Sequence, residues 1–199
     1  LARFWDINAG EVQIYGNNVK DVPLSELMKQ ISMVFQRVYL FQDTVYNNIS
    51  MGRPDAAKEE VIKAAKKARC YEFIQKLPQG FDTVIGEGGA SLSGGESQRI
   101  SIARCILKDA PIVILDEATA SVDADNERYI QEAISELCKG KTLLVIAHRL
   151  NTIQCAEEIL VISDGHIVQR GNHKELIAKE GTYRNFVKMR TQSHGWNHR

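Results

Sequence analysis

Ser93 is followed by Gly94 and Gly95, and a helical pattern begins at once. A serine at a helix start can cap free backbone N–H groups, and glycines let the backbone come close to a phosphate. Some twenty residues on, the apolar run Ile112–Leu115 ends in Asp116-Glu117. Carboxylates at the mouth of a buried strand sit where ligands bind in parallel sheets. Asp116 can hold Mg²⁺ through its water shell, since magnesium keeps most of its waters. Glu117 can orient or deprotonate an attacking water. Both can instead be plain N-terminal carboxylates of a helix, favoured by its dipole. A second apolar run, Thr142–Ala147, delivers His148. An imidazole there can hydrogen-bond a terminal phosphate and hold water in line. Gln36 closes an earlier run, and its amide can reach a metal or a water from a hinge position. Asp123 can cap the helix that follows it. The combination reads as nucleotide chemistry, yet no GxxxxGK[ST] phosphate loop occurs in the 199 residues.

These residues need elements to hold them. Val12 and Ile14, the turn residues Gly16-Asn17-Asn18 and then Val19 predict a small antiparallel hairpin. Leu24–Lys29 predicts a short helix after Pro23, Ser32–Phe35 a strand, and Thr44–Ile49 a short helix. Between Asp55 and Leu77, apolar residues at helical spacing predict a helix broken near Arg69-Cys70. Phe81–Leu92 reads as a glycine-rich loop, and Gly86-Glu87-Gly88-Gly89 within it as a flexible surface segment without the lysine of a phosphate loop. Gly94–Leu107 predicts a helix with Ile100, Ala103 and Ile106 facing inward. Ile112–Leu115 and Thr142–Ala147 read as buried parallel strands, with an amphipathic helix over Asn126–Leu137 between them. Asp164-Gly165 marks a hairpin turn, and two short helices, His173–Ala178 and Thr182–Met189, close the chain. Phe4-Trp5 reads as core packing rather than base stacking.

The gross composition is that of a globular domain. Lys plus Arg equals Asp plus Glu, 25 each, so nothing suggests bulk attraction to nucleic acid or an acidic surface. Cys70, Cys105, Cys138 and Cys155 are far apart, which suits reduced, mostly buried thiols better than structural zinc. No apolar run reaches the ~20 residues that cross a bilayer.

Taken in order, these pieces resemble the nucleotide-binding domain of an ABC transporter, over nearly the whole chain. Gln36 matches that family's Q-loop, and Leu92–Gln98 its signature motif, with Ser93, Gly94, Gly95, Glu96 and Gln98 as ATP-contacting positions. Ile112–Asp116 resembles the Walker B strand, Glu117 the catalytic glutamate, Ser121-Val122-Asp123 the D-loop and His148 the switch histidine. Tyr39–Ile49 is similar to exporter-type domains. The resemblance implies an α/β, P-loop NTPase-like (RecA-like) core with a mainly parallel sheet, an inserted helical subdomain and a small antiparallel part. It implies one ATPase domain, with core segments 1–36 and 102–190, a helical subdomain over 37–101 and a tail at 191–199.

The implied activity is ATP hydrolysis with Mg²⁺, bound by Asp116 and Gln36, driving transmembrane export. The implied partners are a second nucleotide-binding domain, identical or not, and membrane domains, at the cytoplasmic face of the membrane and without nucleic acid. In that family Ser93 and the Gly95 backbone would donate to the γ-phosphate held by the other protomer. The family's phosphate loop would precede Leu1, with Leu1–Phe4 as the helix leaving it. On that reading a sheet edge is left uncovered, and these residues alone do not bind ATP tightly. A non-catalytic domain that completes a partner's site is the first alternative. The second is a chromosome-maintenance ATPase, but only Arg37–Ser91 separates its would-be halves and it carries no sustained heptads.

Overall fold

The computed structural model describes residues 1–116, 124–147 and 153–194. It divides into two compact units, Leu1–Ile146 and Ala147–Arg199.

The first unit is built on a three-stranded parallel sheet. Strand β3 (Ile31–Val34) pairs with β6 (Ile112–Asp116), and β6 pairs with β7 (Thr142–Ile146). The register sets Val34 opposite Leu115 and Asp116 opposite Ile146, so all three strands end at one rim. Val113 and Leu115 face the larger core and Ile112 and Ile114 the smaller one, so β6 is packed on both faces, as a central parallel strand requires. Two short antiparallel pairs are separate from this sheet. β1 (Gln13–Ile14) meets β2 (Asn17–Asn18) through Tyr15-Gly16, both at positive φ as a type I′ turn demands. The turn therefore falls one residue earlier than the Gly16-Asn17-Asn18 expected. β4 (Asp43–Thr44) pairs with β5 (Val84–Ile85).

Helix α1 spans Leu24–Lys29 and α2 spans Val45–Ser50, with Thr44 Oγ1 accepting from Asn47 N–H. Helix α3 (Lys58–Lys67) stops where Arg69 turns left-handed, and α4 (Tyr71–Ile74) resumes, so the predicted break is real. Helix α5 (Gly94–Lys108) ends at Asp109, also left-handed, and α6 (Ala124–Cys138) follows. Ile49, Val61, Ile74, Ile100, Val113 and Ile130 share one core. A smaller core gathers Ala2, Val19, Leu27, Ile31 and Ile112.

In the second unit, β8 (Ile159–Ser163) and β9 (His166–Gly171) form a hairpin through Asp164-Gly165, with a bulge between Val161 and Ile162. Helices α7 (His173–Ala178) and α8 (Thr182–His194) pack Leu176 and Tyr183 against Ile159. Tyr183 Oη and His173 Nδ1 are 2.7 Å apart. Helix α8 runs five residues past the Met189 end that the apolar pattern marks.

Several local expectations are corrected. Phe81–Leu92 is not all loop: Val84–Ile85 is a strand, and the exposed Glu87–Gly89 segment is closed by Gly89 N–H donating to the Gly86 carbonyl at 3.1 Å. A Cβ on Gly86 would lie 2.7 Å from the Phe41 carbonyl oxygen, so glycine is needed there for close backbone approach. Strand β7 is not buried: Leu143, Leu144 and Ile146 are exposed, and it is an end strand of the described sheet. Phe4 and Trp5 are 63% and 90% exposed, so they do not pack in a core. Leu1–Phe4 is not helical; Arg3 instead donates to the Val19 and Val22 carbonyls at 3.1 and 3.2 Å. The four cysteines are free thiols, with Cys70 and Cys105 buried and Cys155 exposed.

One buried side chain pins the segment that follows Gln36. Asn48 Oδ1 accepts from Phe41 N–H at 2.9 Å, and its amide donates to the carbonyls of Phe41 and Thr44 at 2.9 and 3.0 Å. Arg104 of α5 completes it, donating through Nε to Asn48 O at 2.8 Å and through Nη2 to Asn48 Oδ1 at 3.2 Å. Asn48→Ala would leave several of these groups buried without partners, so we expect it to cost about 3 kcal/mol in urea-unfolding free energy. A loss under about 1 kcal/mol would show that water replaces the amide there.

Candidate functional site

The site is assembled from ends of strands and the start of one helix. In a parallel sheet the strands point one way, so the residues that follow them gather at one rim. Gln36 lies two residues beyond β3, exposed at that rim. Asp116 is the last residue of β6, half-exposed at the same rim. Glu117, Ser121, Asp123 and His148 lie outside the described residues. Their neighbours Asp116 and Ile146 stand opposite each other in register.

Helix α5 begins with a reciprocal cap. Glu96 N–H donates to Ser93 Oγ at 3.2 Å, and Ser93 N–H donates to Glu96 Oε2 at 2.8 Å. This capping box satisfies two orphan donors and fixes the first turn. Ser93 and Gly94 are exposed, and a Cβ on Gly94 would meet nothing within 4 Å. Gly95 is different: it is buried, and a Cβ there would lie 2.7 Å from the Cβ of Asn126 in α6. The two glycines thus have separate reasons, open backbone at Gly94 and close helix packing at Gly95.

Gln98, expected beside the nucleotide, is 4% exposed and donates to the Phe35 carbonyl at 3.4 Å. Farther along α5, Cys105 reaches the Met33 carbonyl and Lys108 the Ile31 carbonyl. As the helix number rises, the strand number falls, so α5 runs antiparallel to β3. Its N-terminal tip therefore projects toward the rim where β3 and β6 end. At ~1.5 Å per residue, Ser93 lies about 7 Å beyond Gln98 along the helix. Gln36, Asp116 and the Ser93-Gly94 tip thus stand at one end of the first unit.

The residues that support this arrangement include some the motifs do not flag. Arg99 is buried with its guanidinium 5.0 Å from the Phe73 ring and 5.2 Å from the Tyr129 ring. Stacked between two aromatics, the cation ties α4, α5 and α6 together. Arg104 lies over Phe41 at 5.7 Å besides holding Asn48. A helix in which Arg99 and Arg104 fall among apolar positions is the available signal, because charges at core positions need partners.

For a metal, the donors at the rim are oxygens: the Asp116 carboxylate and the Gln36 side-chain amide. Few protein oxygens with open space beside them suit Mg²⁺, which completes its shell with water and phosphate. Among the described residues no group of three or more His, Cys, Asp or Glu could hold a metal. No helix among them is long and apolar enough to cross a membrane.

Known proteins resemble this chain in sequence and fold. Residues 1–120 match the family model described as ABC transporter. The ATP-dependent lipid A-core flippase of Haemophilus influenzae is 53% identical over 190 residues, 95% of this chain and 32% of that protein. A Staphylococcus aureus relative named as a multidrug export ATP-binding/permease protein is 52% identical over 183 residues, 92% of this chain and 32% of its own length. The chain therefore spans about a third of the curated relatives it matches. A solved bacterial Atm1-family ABC exporter with ATP bound superposes with a TM-score of 0.87 at 39% identity, covering 96% of this chain and 33% of that one. The family model covers more than half of the residues, and the fold is that of an ABC exporter's nucleotide-binding domain. The chain belongs to the ABC transporter family.

Proposed function

We propose that this chain is the ATP-hydrolysing part of a membrane exporter, acting as a head-to-tail pair around ATP. The observation that carries the reading is the common end shared by Gln36, Asp116 and the exposed Ser93-Gly94 tip. A helix start with free N–H groups favours an anion, and an acid-and-amide rim favours a hydrated metal. On this reading the two halves serve different phosphates. The rim of one protomer faces its own nucleotide, and the tip of its α5 faces the partner's.

Phosphoryl transfer asks mainly for positioning and charge neutralisation. Mg²⁺, held by Asp116 and Gln36, would supply part of that neutralisation. Glu117 takes the proton of the attacking water, and His148 holds the terminal phosphate and the water in line. Ser121 and Asp123 lie where the two protomers meet. Ser93 Oγ and the Gly94 and Gly95 backbone complete the partner's phosphate site, with Glu96 holding the turn. Residues 37–101 form the helical subdomain that carries the tip, between core segments 1–36 and 102–190. The site also needs a phosphate cradle, which no stretch of the 199 residues provides. These residues alone are therefore expected to show no tight ATP binding by calorimetry.

The pair works at the cytoplasmic face of the membrane, moving membrane domains as ATP closes it and hydrolysis opens it. Relatives of nearly equal identity are named for lipid A-core and for multidrug export. The nucleotide-binding part thus does not specify the cargo.

Two substitutions test the assignment in the intact protein. Glu117→Gln should lower ATP turnover by about 10²-fold or more while ATP still binds, as for a lost general base; near-normal turnover would remove Glu117 from that role. Ser93→Arg should abolish ATP-driven association measured by sedimentation or light scattering. Association that persisted with full ATP dependence would show that the tip does not meet a nucleotide across the interface.

A further inference from the structure

Strand β3 is an end strand of the described sheet, and its outer edge is not bare. In a strand, successive carbonyls point to opposite edges. Ile112 N–H donates to Gln30 O at 3.1 Å, so the even-numbered carbonyls face β6. The odd-numbered ones face away, and each meets a side chain of α5. Phe35 O accepts from Gln98 Nε2 at 3.4 Å, Met33 O from Cys105 Sγ at 3.4 Å, and Ile31 O from Lys108 Nζ at 2.7 Å. Positions 98, 105 and 108 fall within about 80° of one another on a helix that turns ~100° per residue, so one face supplies all three donors. Gln98 and Cys105 are buried, and Lys108 is half-buried. Burial pushes the Lys108 ammonium down from its ordinary range and the Cys105 thiol up to about 11.

An edge strand left open is a template for unwanted pairing, and a buried carbonyl left open is costly. A helix lying on the edge solves both, provided its side chains hit alternate carbonyls. That requirement fixes the register of α5 along β3. A slide of one helical turn would break all three bonds together.

We infer that Gln98 is a positioning residue that couples the turn bearing Gln36 to the helix tip bearing Ser93, with Cys105 and Lys108 setting the register. Its acceptor, Phe35 O, belongs to the residue just before Gln36. Its own backbone lies five residues from Ser93, within the same helix. A change at the Gln36 turn therefore passes to the tip through one amide and one rigid helix. What the two ends bind rests on the proposed function; the ladder itself does not.

The test uses Gln98→Met in the intact protein, which keeps the volume and removes the donor. Hydrogen exchange should quicken by about tenfold at amides 36–40 and 94–97, while amides 112–116 of β6 stay as they are. Lys108→Met should quicken exchange at amides 31–34, and Lys108→Arg should restore it. In ATP turnover, Gln98→Met should lower kcat by roughly tenfold to a hundredfold with KM within about twofold, as for lost alignment. The double variant Gln36→Ala with Gln98→Met should turn over no more slowly than Gln36→Ala alone. Unchanged exchange, a uniform rise that includes β6, or two substitutions whose effects multiply would each overturn the inference. An unsubstituted protein that fails to hydrolyse ATP would count against the proposed function, and the exchange pattern would still decide the ladder.

Discussion

The burial of α5 between a sheet edge and three other helices is the constraint on which the first unit depends. Most amphipathic helices keep one wet face. This one is buried through most of its length, from Gly95 and Gln98 to Leu107. A helix so enclosed needs partners for most of the polar groups it carries, although Arg99 Nε stays buried without a hydrogen bond. Gln98, Cys105 and Lys108 answer to β3, Arg99 to two aromatic rings, and Arg104 to Asn48. Together these contacts hold α5 to β3, to α4 and α6, and to α2. The helix start is consequently aimed by the whole unit, although Ser93 and Gly94 themselves are exposed.

That arrangement lets one short motif belong to a rigid body and still present an open backbone to solvent. The capping box keeps the first turn formed without help from a ligand, since Ser93 and Glu96 satisfy each other's backbone donors. Gly95 lets α6 approach closely enough to brace that turn from behind, at Asn126. Gly94 leaves the front open. The sheet rim is built by the opposite logic: strands buried on both faces deliver Asp116 and the Gln36 turn by direction alone. Helix start and rim share one end of the unit because α5 lies antiparallel on β3.

Much of this is legible in residue order, and what is not has identifiable physical causes. Ser93 as a cap, the break at Arg69 and the strand ending in Asp116 follow from local chemistry and period. So does the Asp164-Gly165 hairpin. The pairing of Asp43–Thr44 with Val84–Ile85 does not, because two-residue strands carry no period and their partners lie forty residues apart in sequence. Thr142–Ala147 reads as buried because it is apolar on both faces, but burial depends on neighbours that an apolar run cannot name. Phe4 and Trp5 mislead for the same reason. The inward face of α5 is read as Ile100, Ala103 and Ile106, while Gln98 and Arg99 are just as buried. Side-chain bonds to a strand edge sixty to eighty residues away exist only in the tertiary fold.

The central claim is that the tip of α5 meets the terminal phosphate of a nucleotide held by another protomer. ATP bearing a photoreactive group on its γ-phosphate tests this most directly in the intact protein. On irradiation of mixed protomers, one isotope-labelled and carrying the nucleotide, the other unlabelled, mass spectrometry should find the adduct on the unlabelled protomer's residues 93–95. The adduct should vanish when the protomers are diluted apart. An adduct at 93–95 of the nucleotide's own protomer, unaffected by dilution, would contradict the account.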